Sequence, residues 1–110
     1  MATCGMTMNA SHRDLESACR DHLVRFFAAH PDAELQKRAL RALRFLRVSD
    51  KPLGGKAEGW AAGIIYVVAN QDRRACGVPG ILNSEFEAMM GVSMGIIRRR
   101  AAQVERLMSL

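Results

Sequence analysis

Residues 57–70, AEGWAAGIIYVVAN, are apolar nearly all the way round. At about 3.6 residues per turn, a helix through this segment presents apolar side chains in every direction. A membrane span needs roughly 20 apolar residues, so this shorter helix must be covered by the rest of its own chain. Gly59, Ala62 and Gly63 add almost no side chain. They weaken the helix intrinsically but let a neighbouring helix approach closely, while Trp60 and Tyr66 supply the bulk.

On the N-terminal side, residues 49–56, SDKPLGGK, form a turn by composition. Gly55-Lys56 is followed by Ala57 where a phosphate-binding loop needs Ser or Thr, and the earlier glycine is missing, so the segment is not a Walker loop. Before it, residues 33–48 place Leu35, Ala39, Leu40, Ala42, Leu43 and Leu46 on one face of a helix capped by Asp32. The opposite side aligns Lys37, Arg41 and Arg44, which reads either as a solvated face or as a track for a phosphate backbone. His30-Pro31-Asp32 separates this helix from an earlier one over residues 11–29, whose inward stripe is Leu15, Ala18, Cys19, His22, Leu23 and Phe26. Ser11 and Asp14 are its start signals, and residues 1–10 show no periodicity and are expected to be a flexible N-terminus.

On the C-terminal side, residues 71–82 form a long connection holding Arg73, Arg74 and Cys76. The adjacent arginines could lower the thiol pKa, but no histidine accompanies Cys76, which favours an ordinary thiol. Ser84 and Glu87 have capping-box spacing and open a short helix through Met90. Gly91 then permits a tight turn, Val92 plugs into the core, and Ser93 caps a final helix from Met94. In that helix Ile97, Ala101, Val104, Leu107 and Met108 face inward, and Arg98, Arg99, Ala102 and Arg106 face outward. Helix, three-residue turn, helix over residues 83–109 is a helix-turn-helix layout, whose second helix enters the DNA major groove with its N-terminal part. Met94, Gly95, Arg98, Arg99, Ala102 and Arg106 are therefore the candidate base-facing residues, with Lys37, Arg41, Arg44, Arg73 and Arg74 as candidate phosphate contacts. Arg100 falls at the edge of the inward face and is assigned to a structural ion pair.

The chain of 110 residues fits one domain, spanning residues 11–110. Its net charge of +5 and pI near 9.7 suit a polyanionic partner without requiring one. Three cysteines at unrelated spacing imply no disulfide. Cys19 and His22 lack the further ligands a zinc site needs, so no metal or other cofactor is expected. His22 has no carboxylate or nucleophile placed to work with it. No paired carboxylates or triad support an enzyme. No secretory signal is read at the N-terminus, and the default address is cytoplasmic.

The run G-W-A-A-G-I-I-Y-V-V-A, followed after a loop by E-F-E-A-M-M-G-V-S-M-G-I-I-R-R-R-A, resembles the cyclin-like repeat of transcription factor IIB and its archaeal relatives. The resemblance runs from Glu34 to about Leu107. It implies an all-α, single five-helix cyclin-box-like bundle whose last two helices read DNA without catalysis. That family carries two repeats and a zinc ribbon, whereas this chain has one repeat and no ribbon ligands. Where the pattern places a small residue four before the turn glycine, this chain has Glu87. Two functions follow as expectations. The first is a small transcriptional regulator that binds double-stranded DNA. The alternative is a cyclin-like protein-interaction module, or a homodimeric adaptor in which a second copy replaces the missing repeat, with the seven methionines offering an adaptable contact face.

Overall fold

The all-round apolar segment forms a helix with the bounds its composition predicts, Ala57–Asn70. In the computed structural model residues 4–49, 53–71 and 77–109 are described, with side chains from Arg13 onward. Five α-helices follow in order: α1 (Cys4–Ala29), α2 (Ala33–Leu43), α3 (Ala57–Asn70), α4 (Asn83–Met90) and α5 (Met94–Met108). No strand occurs among the described residues. Helix α3 touches each of the other four, and its side chains from Trp60 to Ile65 are all nearly or fully buried.

Helix α1 begins at Cys4 rather than at Ser11, so it takes in most of the stretch that shows no periodicity. Its buried face is Cys19, Leu23, Phe26 and Phe27, with Leu15 packed against the core. Phe26 meets Phe27 and Phe86 edge-on at 4.9 and 5.7 Å between ring centres, which ties α1 to α4. The helix ends where Pro31 stops it, after a last backbone bond from His30 N–H to the Phe26 carbonyl. Asp32 then caps α2, its Oδ1 accepting from Leu35 N–H at 3.1 Å.

The predicted second helix splits in two. After Leu43 the chain tightens into a 3-10 turn, Arg44–Val48. At three residues per turn, positions three apart eclipse, which keeps Leu43 and Leu46 on one side, both fully buried. This turn is fastened to α1 by Glu16, a carboxylate that is only 4% exposed. Arg47 Nε donates to Glu16 Oε1 at 2.6 Å, and Arg20 lies 3.5 Å from Oε2. One turn along α1, the buried Cys19 thiol donates to the Ala57 carbonyl at 3.5 Å. Burial pushes its pKa up to about 12, with Glu16 and Glu58 adding to the shift.

The small residues of α3 mark where α5 crosses it. A Cβ on Gly63 would lie 2.9 Å from the Ala101 nitrogen and from the Arg100 carbonyl carbon. The two backbones are therefore close enough to exclude any side chain at this position, the packing that the Gly/Ala-rich composition predicts.

Candidate nucleic-acid interface

Helix α4 opens differently from the expected capping box. Its N-cap is Leu82, and Glu85 Oε1 accepts from the Leu82 N–H at 2.9 Å, so Ser84 and Glu87 do not form the pair. Glu87 has another task. Its Oε2 accepts from Met94 N–H at 2.6 Å, across the turn and onto the first residue of α5. A free helix N-terminus has unpaired N–H groups and a partial positive charge, both of which a carboxylate satisfies. Glu87 thus braces α4 against α5.

The turn itself follows its sequence. Gly91 has φ +72°, a left-handed angle that disfavours other residues, and its N–H bonds to the Glu87 carbonyl at 2.8 Å. Val92 is half-buried against the core. Ser93 caps α5, its Oγ accepting from Ile96 N–H at 3.4 Å. Of α5, Met94, Ile97, Ala101 and Val104 are buried, with Leu107 and Met108 packed beside them. Met94, named among the candidate base-facing residues, is buried at 8% exposed and packs in the core.

The remaining candidates on α5 are all exposed: Gly95, Arg98, Arg99, Ala102 and Arg106. They do not share one direction. Successive residues turn by about 100°, so Gly95, Ala102 and Arg106 fall within about 60° of Arg99, whereas Arg98 is rotated by about 100° to the flank. Arg98 lines a cleft of about 340 Å³ between α3 and α5, with Tyr66, Asn70, Gln71, Ala102 and Glu105. Arg99 and Arg106 form no ion pair among the described residues. Ile96, overlooked in the sequence, is 38% exposed on the first turn of α5.

Lys37, Arg41 and Arg44 are exposed on the outer side of α2 and the 3-10 turn, as their spacing predicts. The α2 cation that reaches the α5 cleft is one the stripe omits. Arg38 Nη2 donates to Gln71 Oε1 at 2.7 Å, and Gln71 lines the same cleft as Arg98. Arg73, Arg74 and Cys76 lie outside the described residues.

Among the described residues Arg100 makes no ion pair, contrary to expectation. Its Cζ stands 4.8 Å from the Trp60 ring centre, and Nη1 donates to Gln103 Oε1 at 2.9 Å. Its Nε is buried with no hydrogen-bond partner among the described residues. A side chain at Gly55, where φ is +91°, would collide with this guanidinium, and Trp60 Nε1 donates to the adjacent Gly54 carbonyl at 2.8 Å. The paired glycines thus serve as a wall for the Arg100–Trp60 stack.

Among the described residues, no three His, Cys, Asp or Glu side chains converge to hold a metal, and no helix is long and apolar enough to cross a membrane. His22 is half-buried at the rim of a cleft of about 240 Å³, with Arg25, Phe26, Ala29, Met89 and Met90. An adjoining cleft of about 250 Å³ shares Phe26 and Ala29 and is closed by Val78 and Ile81. Comparison with family models, with curated proteins and with solved structures found no match.

Proposed function

We propose that this chain is a sequence-reading DNA-binding domain, a small transcriptional regulator built like one cyclin-like repeat of the transcription factor IIB type. The observation that carries the proposal is the outward face of α5. Gly95 and Ala102 keep that face low around Arg99 and Arg106, behind a turn that Glu87 and Gly91 hold. A low, cationic helix face lets the helix backbone approach base edges while an arginine reaches guanine O6 and N7. The cyclin-like reading draws support from a surrounded central helix followed by the α4-turn-α5 unit. Lys37, Arg41 and Arg44 supply charge for the phosphate backbone, and Arg98 supplies it from the flank of α5.

Selection of duplexes from a random pool tests this reading. Recovery of a preferred sequence whose preference is lost with Arg99→Ala, and kept at lower affinity with Lys37→Ala, supports it. A pool that never enriches overturns it.

The second reading, protein docking, is favoured by the two adjoining clefts along α1 and by Leu82 and Met89 beside them, 69% and 39% exposed. In its dimeric form it requires a concentration-dependent mass in light scattering, and a strict monomer removes that form.

A further inference from the structure

Helix α5 carries two opposite charges that no neighbour answers. Arg98 and Glu105 line the cleft of about 340 Å³ between α3 and α5, both are exposed, and neither forms an ion pair among the described residues. Seven residues apart, they lie within about 20° of one another round the helix and about 10 Å apart along it. Ala101 and Ala102 line the same cleft and fall about 50° to either side of the line that joins the two charges. The stripe is therefore symmetric about a point midway between the alanines. Reversing the helix direction there exchanges Arg98 with Glu105 and Ala101 with Ala102.

We infer that this flank of α5 is a two-fold dimer surface, met by the same stripe of a second copy of the chain running antiparallel. A two-fold interface must be self-complementary, each residue meeting one that meets it in return. With the axis at the alanines, Arg98 of each copy stands level with the partner's Glu105, so two ion pairs form from charges left unpaired in the monomer. A parallel pairing would set like charge against like and is repelled. The alanines let the helix axes approach to about 8 Å, the close end of helix packing, and the cleft beside them, backed by Tyr66, Asn70 and Gln71, receives side chains of the second copy. The inference gives the dimeric reading a surface, separate from the clefts along α1, and does not rest on DNA binding. Arg99 and Arg106 lie about 100° round the helix from the stripe, and the two-fold turns both copies of them to one side, uncovered. A guanidinium has five N–H donors and a carboxylate takes two, so Arg98 keeps donors for a phosphate.

Sedimentation equilibrium of the full chain, under reducing conditions so that no disulfide contributes, tests the surface with two variants and their mixture. The unaltered chain should dimerise reversibly. Arg98→Glu makes the charged stripe wholly acidic and Glu105→Arg makes it wholly basic. Each should self-associate about 10-fold more weakly or not at all, because two ion pairs give way to two like-charge contacts. Mixed in equal amounts, the two variants should form a heterodimer about as tight as the unaltered dimer, since an acidic stripe then meets a basic one and both pairs return. A chain that stays monomeric at every concentration overturns this inference and the dimeric reading together. A dimer indifferent to both variants, or a mixture no tighter than either variant alone, overturns this surface and leaves the dimeric reading standing.

Discussion

Replacing Gly63 by alanine tests the crossing of α3 and α5 on which the presentation of α5 depends. The added Cβ would lie 2.7 Å from Arg100 Cβ and 2.9 Å from two backbone atoms of α5, where ordinary contact begins near 3.4 Å. Backbone cannot rotate aside as a side chain can, so α5 must retreat by roughly half an ångström or α3 must bend. Overpacking of this kind costs about 1–3 kcal/mol. Against it stands the gain in helix propensity, up to about 1 kcal/mol for alanine over glycine. Gly95 provides the control, because its Cβ position meets nothing closer than Ser93 Oγ at 3.9 Å. Subtracting Gly95→Ala from Gly63→Ala removes most of the propensity gain and leaves the clash. In urea or thermal unfolding followed by far-UV circular dichroism, Gly63→Ala should fall below Gly95→Ala by about 1–3 kcal/mol, or on the order of 4–12 °C in Tm. Gly59→Ala should fall between them, since its Cβ meets only side-chain atoms, the nearest at 3.3 Å. A Gly63→Ala protein as stable as Gly95→Ala would refute the close crossing.

Glu87→Ala removes the bond to Met94 N–H and should cost about 1–3 kcal/mol. It should also weaken DNA binding, although Glu87 touches no DNA in this account; in Glu87→Gln, which keeps an acceptor oxygen, most of that affinity should return. Cys19 titrates in the folded chain near 12 rather than at its ordinary value of 9.0. The folded state therefore holds the thiol proton more tightly. Its contribution to stability is complete below pH 9 and is lost as pH rises towards 12. Urea midpoints measured at rising alkaline pH should fall faster for the unaltered chain than for Cys19→Ala, and equal slopes would count against the buried thiol. Gly55→Ala should cost about 1–2 kcal/mol through its left-handed angle alone. It should also shift the emission of Trp60, the only tryptophan, as Arg100 is displaced from the ring.

The parts of the fold that sequence made legible are those set by local chemistry. Helix α3 could be bounded because it is apolar in every direction, the start of α2 because Asp32 follows Pro31, and the α4-turn-α5 unit because Gly91 and Ser93 punctuate it. What stayed hidden depends on residues distant in the chain or on a choice between near-equal local options. Two glutamates compete to cap α4; Glu85 takes that role and frees Glu87 to bridge the turn. Arg38 reaches Gln71 and Arg100 stacks on Trp60, each more than thirty residues away. The divergence of Arg98 from Arg99 was available in principle, because adjacent helical positions differ by about 100°. Which of the two lies over a cleft required the position of Tyr66 on α3.

Fluorescence anisotropy with a random and a selected duplex at low and physiological salt measures the proposed DNA reading directly. The four cations proposed to meet phosphates, Lys37, Arg41, Arg44 and Arg98, predict a slope of log affinity against log salt of roughly −3 to −4, at about −0.9 per phosphate neutralised. The selected duplex should keep its advantage over the random one at both salt concentrations. No binding to either duplex at low salt, or binding to both with equal affinity, would rule out sequence reading by α5.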